Sequence, residues 1–180
     1  MISAPARHSR RVTSDAALSG LTEEMIEKMR AIGLRLDRSG TFWHQGTAVT
    51  HPRLRQALLR WLDVRDDGRD IVRLDEKRYA YVEVEDAHLR ALGARWHGNA
   101  CIVHWDDDTE SELDYGSLRQ AADHALYAAV RGRLRGRIAG PAYHAIAERI
   151  IETPAETPAE PSGGFALEAA GQRWPIAGAA

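Results

Sequence analysis

Apolar residues recur along this chain in two periods, and the points where the period changes mark out its elements. From residue 21 the spacing is helical: Leu21, Met25, Met29 and Ile32 lie three or four apart. Thr22 stands at the N-cap, Glu23 and Glu24 fill the first turn, and Gly33 ends the run. Two short extended runs follow, Leu34 to Asp37 and Thr41 to Gln45, with Arg38-Ser39-Gly40 as the hairpin loop between them. Thr50-His51-Pro52 starts a second helix, with proline in the first turn where its missing N–H costs nothing. Leu54, Leu58, Trp61 and Leu62 form the apolar stripe of that helix, and Arg53, Arg55 and Arg60 lie largely off it.

The period then falls to two. Ile71 to Leu74 is one strand, and Tyr79 to Glu85 puts Ala80, Val82 and Val84 on one face and Tyr79, Tyr81, Glu83 and Glu85 on the other. Leu89 to Trp96 and Cys101 to Trp105 flank the turn signal His97-Gly98-Asn99, and Asp106-Asp107-Asp108 reverses the chain into Glu110 to Tyr115. Strands this closely spaced predict an antiparallel sheet. Gly116-Ser117 opens a predicted helix with Leu118, Ala121, Ala122, Ala125, Leu126 and Ala129 inward. Gly132 to Ile138 reads as a strand, Pro141 starts a last helix with Tyr143, Ile146, Ala147 and Ile150 inward, and Phe165–Ala169 with Gln172–Ile176 forms a hairpin across Ala170-Gly171.

Gly46 to Leu62 and Gly136 to Ile151 share one pattern of strand, proline and amphipathic helix. A hairpin ending in an aromatic lies beside each, Leu34 to Gln45 and Phe165 to Ile176, with Trp43 and Trp174 at equivalent points. The expected fold class is therefore α+β: mostly antiparallel sheets with packed helices, and two related structural repeats around a central sheet. The expected layout is a disordered tail over 1–20, an N-terminal helix–hairpin–helix half over 21–70, and a central antiparallel sheet with a C-terminal helix and hairpin half over 71–177. The Pro-rich run ETPAETPAEP makes 152–163 a linker.

Composition narrows the classes. The chain has 180 residues, 44% hydrophobic and 28% charged, enough to bury a core. Lys plus Arg is 24 and Asp plus Glu is 26, so the basic excess of a dedicated nucleic-acid binder is missing. No run approaches the ~18 apolar residues of a membrane span. Arg7, Arg10 and Arg11 have no apolar block behind them, so no secretory signal is expected and the cytoplasm is the expected compartment. The single cysteine, Cys101, excludes an internal disulfide framework.

Candidate chemistry is sparse. Cys101 and His104 are three apart on a strand and face opposite sides, so Cys101 reads as a small buried thiol rather than a nucleophile. His97, Cys101, His104 and Asp106 lack the spacing of a zinc site, and no metal or cofactor is expected. The acidic run Asp106, Asp107, Asp108, Glu110, Glu112, Asp114 lacks the glycine of a calcium loop and reads as a solvated hairpin tip. Arg131, Arg133, Arg135 and Arg137 alternate along a predicted strand. They either form an anion-contact line or pair with the acidic stripes Glu83/Glu85 and Glu110/Glu112/Asp114, at about 0.2–1 kcal/mol per pair. Glu76-Lys77 and Glu85-Asp86 form a ligand or acid–base cluster if the fold brings them together, and turn salt bridges otherwise. The five tryptophans read mostly as core, and nothing matches a phosphate-cradling glycine motif.

An ordered set of motifs adds a family. Leu36-Asp37-Arg38-Ser39-Gly40-Thr41-Phe42-Trp43, then Gly46-Thr47 and His51-Pro52-Arg53-Leu54, resembles the Asp-x-x-Gly-x-Trp hairpin and Pro-initiated helix that open the bacterial family called domain of unknown function 1285. Glu76-Lys77 with Val82 to Ala87 is similar to its central motif, and Val130-Arg131-Gly132, Pro141 to Glu148 and Gln172 to Ile176 to its C-terminal part. Ala48-Val49, Asp75 and His88-Leu89 depart from the pattern. The resemblance implies an α+β fold with two similar repeats and a role in signalling or regulation, and it carries no catalytic residues. The expected function is a non-catalytic module that binds a protein partner or a small anionic ligand on a sheet face or in a cleft between halves. The alternatives are a small enzyme built on Glu76, Lys77, Glu85 and Asp86, and nucleic-acid contact through the arginine stripe.

Overall fold

The computed structural model describes residues 23–154 and 164–178. The expected tail, Leu21, Thr22 and most of the Pro-rich linker lie outside the described residues. A short helix α1 (Glu23–Arg30) leads into β1 (Leu34–Leu36), β2 (Phe42–His44) and β3 (Thr47–Ala48), helix α2 (Pro52–Trp61), then β4 (Leu62–Val64), β5 (Asp70–Arg73) and β6 (Tyr79–Val84). These six strands form one sheet in the order β3-β2-β1-β6-β5-β4. The remainder is β7 (Leu89–His97), β8 (Ala100–Trp105), β9 (Glu110–Glu112), a 3-10 turn (Tyr115–Ser117), β10 (Arg119–Gln120), β11 (Leu126–Val130), β12 (Leu134–Ile138), α3 (Gly140–Ala147), β13 (Ile150–Glu152), β14 (Phe165–Ala169) and β15 (Gln172–Gly178). It forms a second sheet in the order β13-β14-β15-β10-β11-β12-β7-β8-β9.

The fold is α+β and both sheets are mixed: β1 runs parallel to β6, β10 to β15 and β7 to β12. The expected single central sheet is divided between Val84 and Leu89. Both edges of β6 are taken, by β5 on one side and β1 on the other, so the next strand must leave the sheet and pairs with β12 instead. From β1 to β6 the chain runs three strands, a helix with proline in its first turn, and three strands, with the first parallel to the last. From β10 to β15 it follows the same order. In that order the hairpin β14–β15 stands where β5–β6 stands, not where β1–β2 stands, so Trp43 and Trp174 do not occupy matching places.

The helix expected after Gly116 is absent. Leu126, Ala128 and Val130 are buried with period two in β11, which pairs antiparallel with β12. A tight turn with His124 at φ +64 and Ala121 N–H on the Ala125 carbonyl feeds it. Alanines spaced for a helix are also compatible with a strand, and the cross-strand partners decide. In α2 the buried residues are Leu58 and Leu59, while Leu54 and Trp61, expected inward, are exposed. Among the tryptophans Trp105 is fully buried.

One hydrophobic core joins the sheets: Leu36 and Phe42 from the first and Leu59 from α2 pack in the same cluster as Val103, Trp105, Leu126, Ile138 and Ile146 from the second and its helix. Each such side chain contributes about 1.5–3 kcal/mol of burial. Gly136 on β12 lies against Trp105 so closely that any Cβ there would overlap the indole ring. Among the described residues no helix is long and apolar enough to cross a membrane.

Candidate functional site

The β1–β2 loop is built around one carboxylate. Asp37 accepts the Ser39 N–H (2.8 Å) and hydroxyl (2.6 Å), the Thr41 N–H (3.0 Å) and the Trp43 indole N–H (2.7 Å). Burial by itself raises the pKa of this carboxyl, but these donors outweigh it and hold the group well below the usual carboxylate range. Gly40 closes the loop at φ +86, and a Cβ there would come within 2.9 Å of the Arg90 guanidinium. Arg90, on β7, donates to the Asp37 carbonyl (2.8 Å) and twice to the Arg38 carbonyl (2.6 and 3.1 Å). The aspartate, glycine and tryptophan of the opening motif thus fold a loop that docks on the second sheet.

Below that loop runs a seam of charges. Asp106 is buried and accepts the Arg90 N–H (3.0 Å) and the Arg55 guanidinium (3.0 Å), and Arg55 also donates to the Gly40 carbonyl (3.2 Å). Burial raises the pKa of the Asp106 carboxyl despite these partners. Asp107 is fully buried, accepts from Thr109 (3.1 and 2.5 Å) and lies 3.4 Å from Arg131. Of the acidic run expected at a solvated hairpin tip, Asp108, Glu110, Glu112 and Asp114 are exposed, whereas Asp106 and Asp107 are buried and tie the β8–β9 turn to α2 and the β1–β2 loop. His88 adds to the seam: its Nδ1 accepts the Arg135 N–H (2.9 Å), so Nε2 carries the proton toward Asp70, 2.8 Å away.

The arginine run does not form a line along one strand. Arg131 and Gly132 have positive φ and make the β11–β12 turn, leaving Arg135 and Arg137 on β12. The guanidiniums do not meet the expected acidic stripes either. Arg131 donates to the Leu59 and Arg60 carbonyls (3.0 Å each), satisfying the C-terminus of α2. Arg133 meets Val64 O and Asp66, and Arg135 meets the Asp86 carbonyl. Glu85 is engaged instead by Arg35 and the Arg38 N–H, and Glu110 by Arg95. The stretch of arginines staples the second sheet to the first.

Glu76-Lys77 and Glu85-Asp86 stand at opposite ends of β6, whose six residues span roughly 20 Å. Glu76 and Lys77 are exposed in the β5–β6 turn, beside the Asp75–Arg78 ion pair. Asp86 and Arg137, in contrast, come together. They line a cleft of about 410 Å³ with Arg38, Ala121, Ala122, Asp123 and Tyr127. The Tyr127 hydroxyl donates to Asp86 (2.7 Å) and accepts from Arg137, which also binds Asp123 (2.6 Å) and lies 3.4 Å from Asp86. Burial first, and then Asp86, raise the Tyr127 pKa, so the phenol keeps its proton. No hydrogen bond or ion pair to the Arg38 guanidinium is seen among the described residues, and its side chain lines the opening.

Sequence reasoning missed Arg38, Asp123 and Tyr127, as well as the seam residues Arg55 and Arg90. The opening motif does contain Arg38, but only the docking of its loop onto Arg90 turns that residue toward β12. Cys101 is fully buried, and burial pushes its thiol up to about 11. Among the described residues no cluster of His, Cys, Asp and Glu has the geometry of a metal site.

Two mixed sheets joined by charged side chains, with a cleft at their junction, define the fold class. No protein-family model and no curated protein matches the chain significantly. Two solved structures share its fold. A DUF1285 family protein from Silicibacter pomeroyi aligns with a TM-score of 0.64 and 19% identity over 82% of this chain and 80% of its own. A DUF1285 family protein from Shewanella baltica aligns with a TM-score of 0.55 and 17% identity over 66% of this chain and 93% of its own. The chain therefore resembles the DUF1285 family in fold as well as in its ordered motifs.

Proposed function

We propose that this protein is a binding module, with a regulatory role, whose ligand is a small carboxylate- or phosphate-bearing anion held in the cleft at Arg38 and Arg137. The observation that carries this reading is the difference between the two guanidiniums. Arg137 is bound to Tyr127, Asp86 and Asp123, whereas Arg38 faces the same opening without an ion partner. The cleft's two carboxylates, Asp86 and Asp123, are both paired with Arg137, which leaves the Arg38 guanidinium as its one cation without an internal partner, and a planar guanidinium suits a two-oxygen acceptor. Binding is favoured over turnover because the acidic and phenolic groups of the cleft are tied to their neighbours. The two runs of three strands, helix and three strands support reading the molecule as related halves, with the ligand at their junction. A buried, unpaired thiol fits a cytoplasmic setting.

The test is a titration with succinate and with inorganic phosphate, following arginine Nε–H resonances by NMR. The Arg38 and Arg137 signals should move saturably, and the Arg137 response should disappear in Arg38→Ala. Unmoved signals with both probes, or an unchanged Arg137 response in that variant, would sink the reading.

A further inference from the structure

At the other end of β6 a second group of cations gathers around Glu27, and Asp67 of the β4–β5 turn holds two of them from the other side, Arg69 at 2.8 Å and Arg65 at 3.6 Å. Glu27, on α1, accepts from the Tyr81 hydroxyl and from Arg30 (2.6 Å), with Arg69 at 3.4 Å, the Tyr79 hydroxyl at 3.5 Å and Arg65 at 3.9 Å. Arg30 belongs to the same helix. The other four donors belong to the sheet: Arg65 and Arg69 from the β4–β5 turn, Tyr79 and Tyr81 from one face of β6. Arg65 donates to both hydroxyls (2.6 and 2.7 Å), and Arg69 lies over the Tyr81 ring at 4.3 Å.

The helix that supplies this carboxylate is oriented against its own apolar pattern. Met25, Met29 and Ile32 are 49%, 61% and 37% exposed. Its inward face is Ile26, Glu27 and Arg30, because β6 offers tyrosine hydroxyls and the β4–β5 turn guanidiniums there rather than aliphatic surface. Charged contacts therefore account for much of the attachment of α1. Exposed ion pairs of this kind are individually weak. Beside Glu27 opens a cavity of about 480 Å³ lined by Arg30, Arg65, Arg73 and Tyr79 and by the acidic Asp66, Asp67 and Glu76, larger than one carboxylate requires.

We propose that Arg65, Arg69, Tyr79 and Tyr81 form a phosphate-recognition site that Glu27 occupies from within the chain. A phosphate monoester binds there by displacing the Glu27 carboxylate, with its organic part in the adjoining cavity. A phosphate dianion brings more charge and more acceptor oxygens than a carboxylate to the same four donors. This site is separate from the cleft at Arg38 and does not depend on it.

The experiment is calorimetric titration of the full chain with inorganic phosphate and with ribose 5-phosphate, in an Arg38→Ala background that removes the cleft's spare cation. Adding Glu27→Ala should tighten ribose 5-phosphate binding by about tenfold, as several weak competing contacts are removed. Glu27→Gln, which keeps the side-chain shape, should tighten it less. Adding Arg65→Met to Glu27→Ala should abolish the gain, and inorganic phosphate should bind more weakly than the ester. Equal affinity with and without Glu27, a gain that survives Arg65→Met, or equal binding of the two probes would overturn the proposal. Thermal melts of each variant separate a lost site from a lost fold.

Discussion

The seam and the cleft lie side by side and use the same residue types, yet they treat charge in opposite ways. In the seam, Asp106 and Asp107 are buried, and Arg55, Arg90 and Arg131 direct donors to those carboxylates or to backbone carbonyls, with Arg90 Nη1 buried and unpaired. In the cleft, Arg38 sits at the end of a rigid loop with its guanidinium unengaged. An arginine whose hydrogen bonds are internal holds the fold, and one whose backbone is fixed while its head is unspent is the kind that the proposed anion would need. Exposure alone does not separate the two classes: Arg131 and Arg133 are exposed residues too, but both are committed to the first sheet.

The strongest way to break that contrast is at Asp106. Asp106→Ala leaves Arg55 and the Arg90 N–H without their acceptor at a buried position, where breaking one side of an ion pair costs about 3–5 kcal/mol. Urea unfolding should show this as a lower midpoint with an unchanged slope. A loss below about 1 kcal/mol would mean that the seam is hydrated and no different in kind from the cleft.

Gly40→Ala tests the joint between the two regions. The left-handed φ costs a non-glycine residue roughly 1–2 kcal/mol, and the added methyl also presses on Arg90. Arg90 must then shift off the Asp37 and Arg38 carbonyls. The expected result is a stability loss of about 1–3 kcal/mol together with weaker anion binding at Arg38, since the loop is no longer clamped. Stability loss with unaltered binding would show that the loop finds its position without Arg90.

Acid separates two carboxylates on either side of this joint. Asp37 is depressed below its ordinary value of 3.8, so its contribution is present above that value and is lost as pH falls toward the folded value. Asp106 is raised above 3.8, so the fold binds its proton more tightly than the unfolded chain does, and stability from this group falls as pH rises from 3.8 to its folded value. Stability measured against pH should therefore change slope in opposite directions in Asp37→Asn and Asp106→Asn. Slopes changing in the same direction would contradict the assigned environments.

Much of the fold was legible because its signals are local. Pro52 and Pro141 open helices, Arg38-Ser39-Gly40 and Ala170-Gly171 turn hairpins, and Tyr79 to Glu85 alternates as a strand does. What failed depends on partners remote in sequence. Alanines at 121–129 match both periods, and only β12 and β15 beside them select strands. Asp106 and Asp107 look like a solvated turn until Arg55, 51 residues away, is brought against Asp106 and Arg131 against Asp107. Of the candidate site, Asp86 and Arg137 were legible as separate candidates. Their meeting was not, because it requires the β7–β12 pairing that brings the end of β6 to β12. The inverted face of α1 was hidden for the same reason: the hydropathy of a helix does not reveal that the surface waiting for it is polar.

The smallest effect on stability should come from Arg38→Ala, and it is the most discriminating. Its guanidinium has no ion partner among the described residues and is exposed, so the change should fall within about 0.5 kcal/mol. The loop would remain, because Arg90 grips the Arg38 carbonyl and Glu85 its N–H, neither of which the substitution touches. Anion binding at the cleft should nevertheless be lost. Arg38→Lys keeps the charge but not the planar fork, and should recover part of the affinity for inorganic phosphate and less for succinate, whose carboxylates are best matched by two parallel donors. Full recovery with both anions would reduce the site to a point charge. A stability loss in Arg38→Ala comparable to that of Asp106→Ala would place Arg38 among the arginines that hold the sheets together and remove the basis for a ligand at this opening.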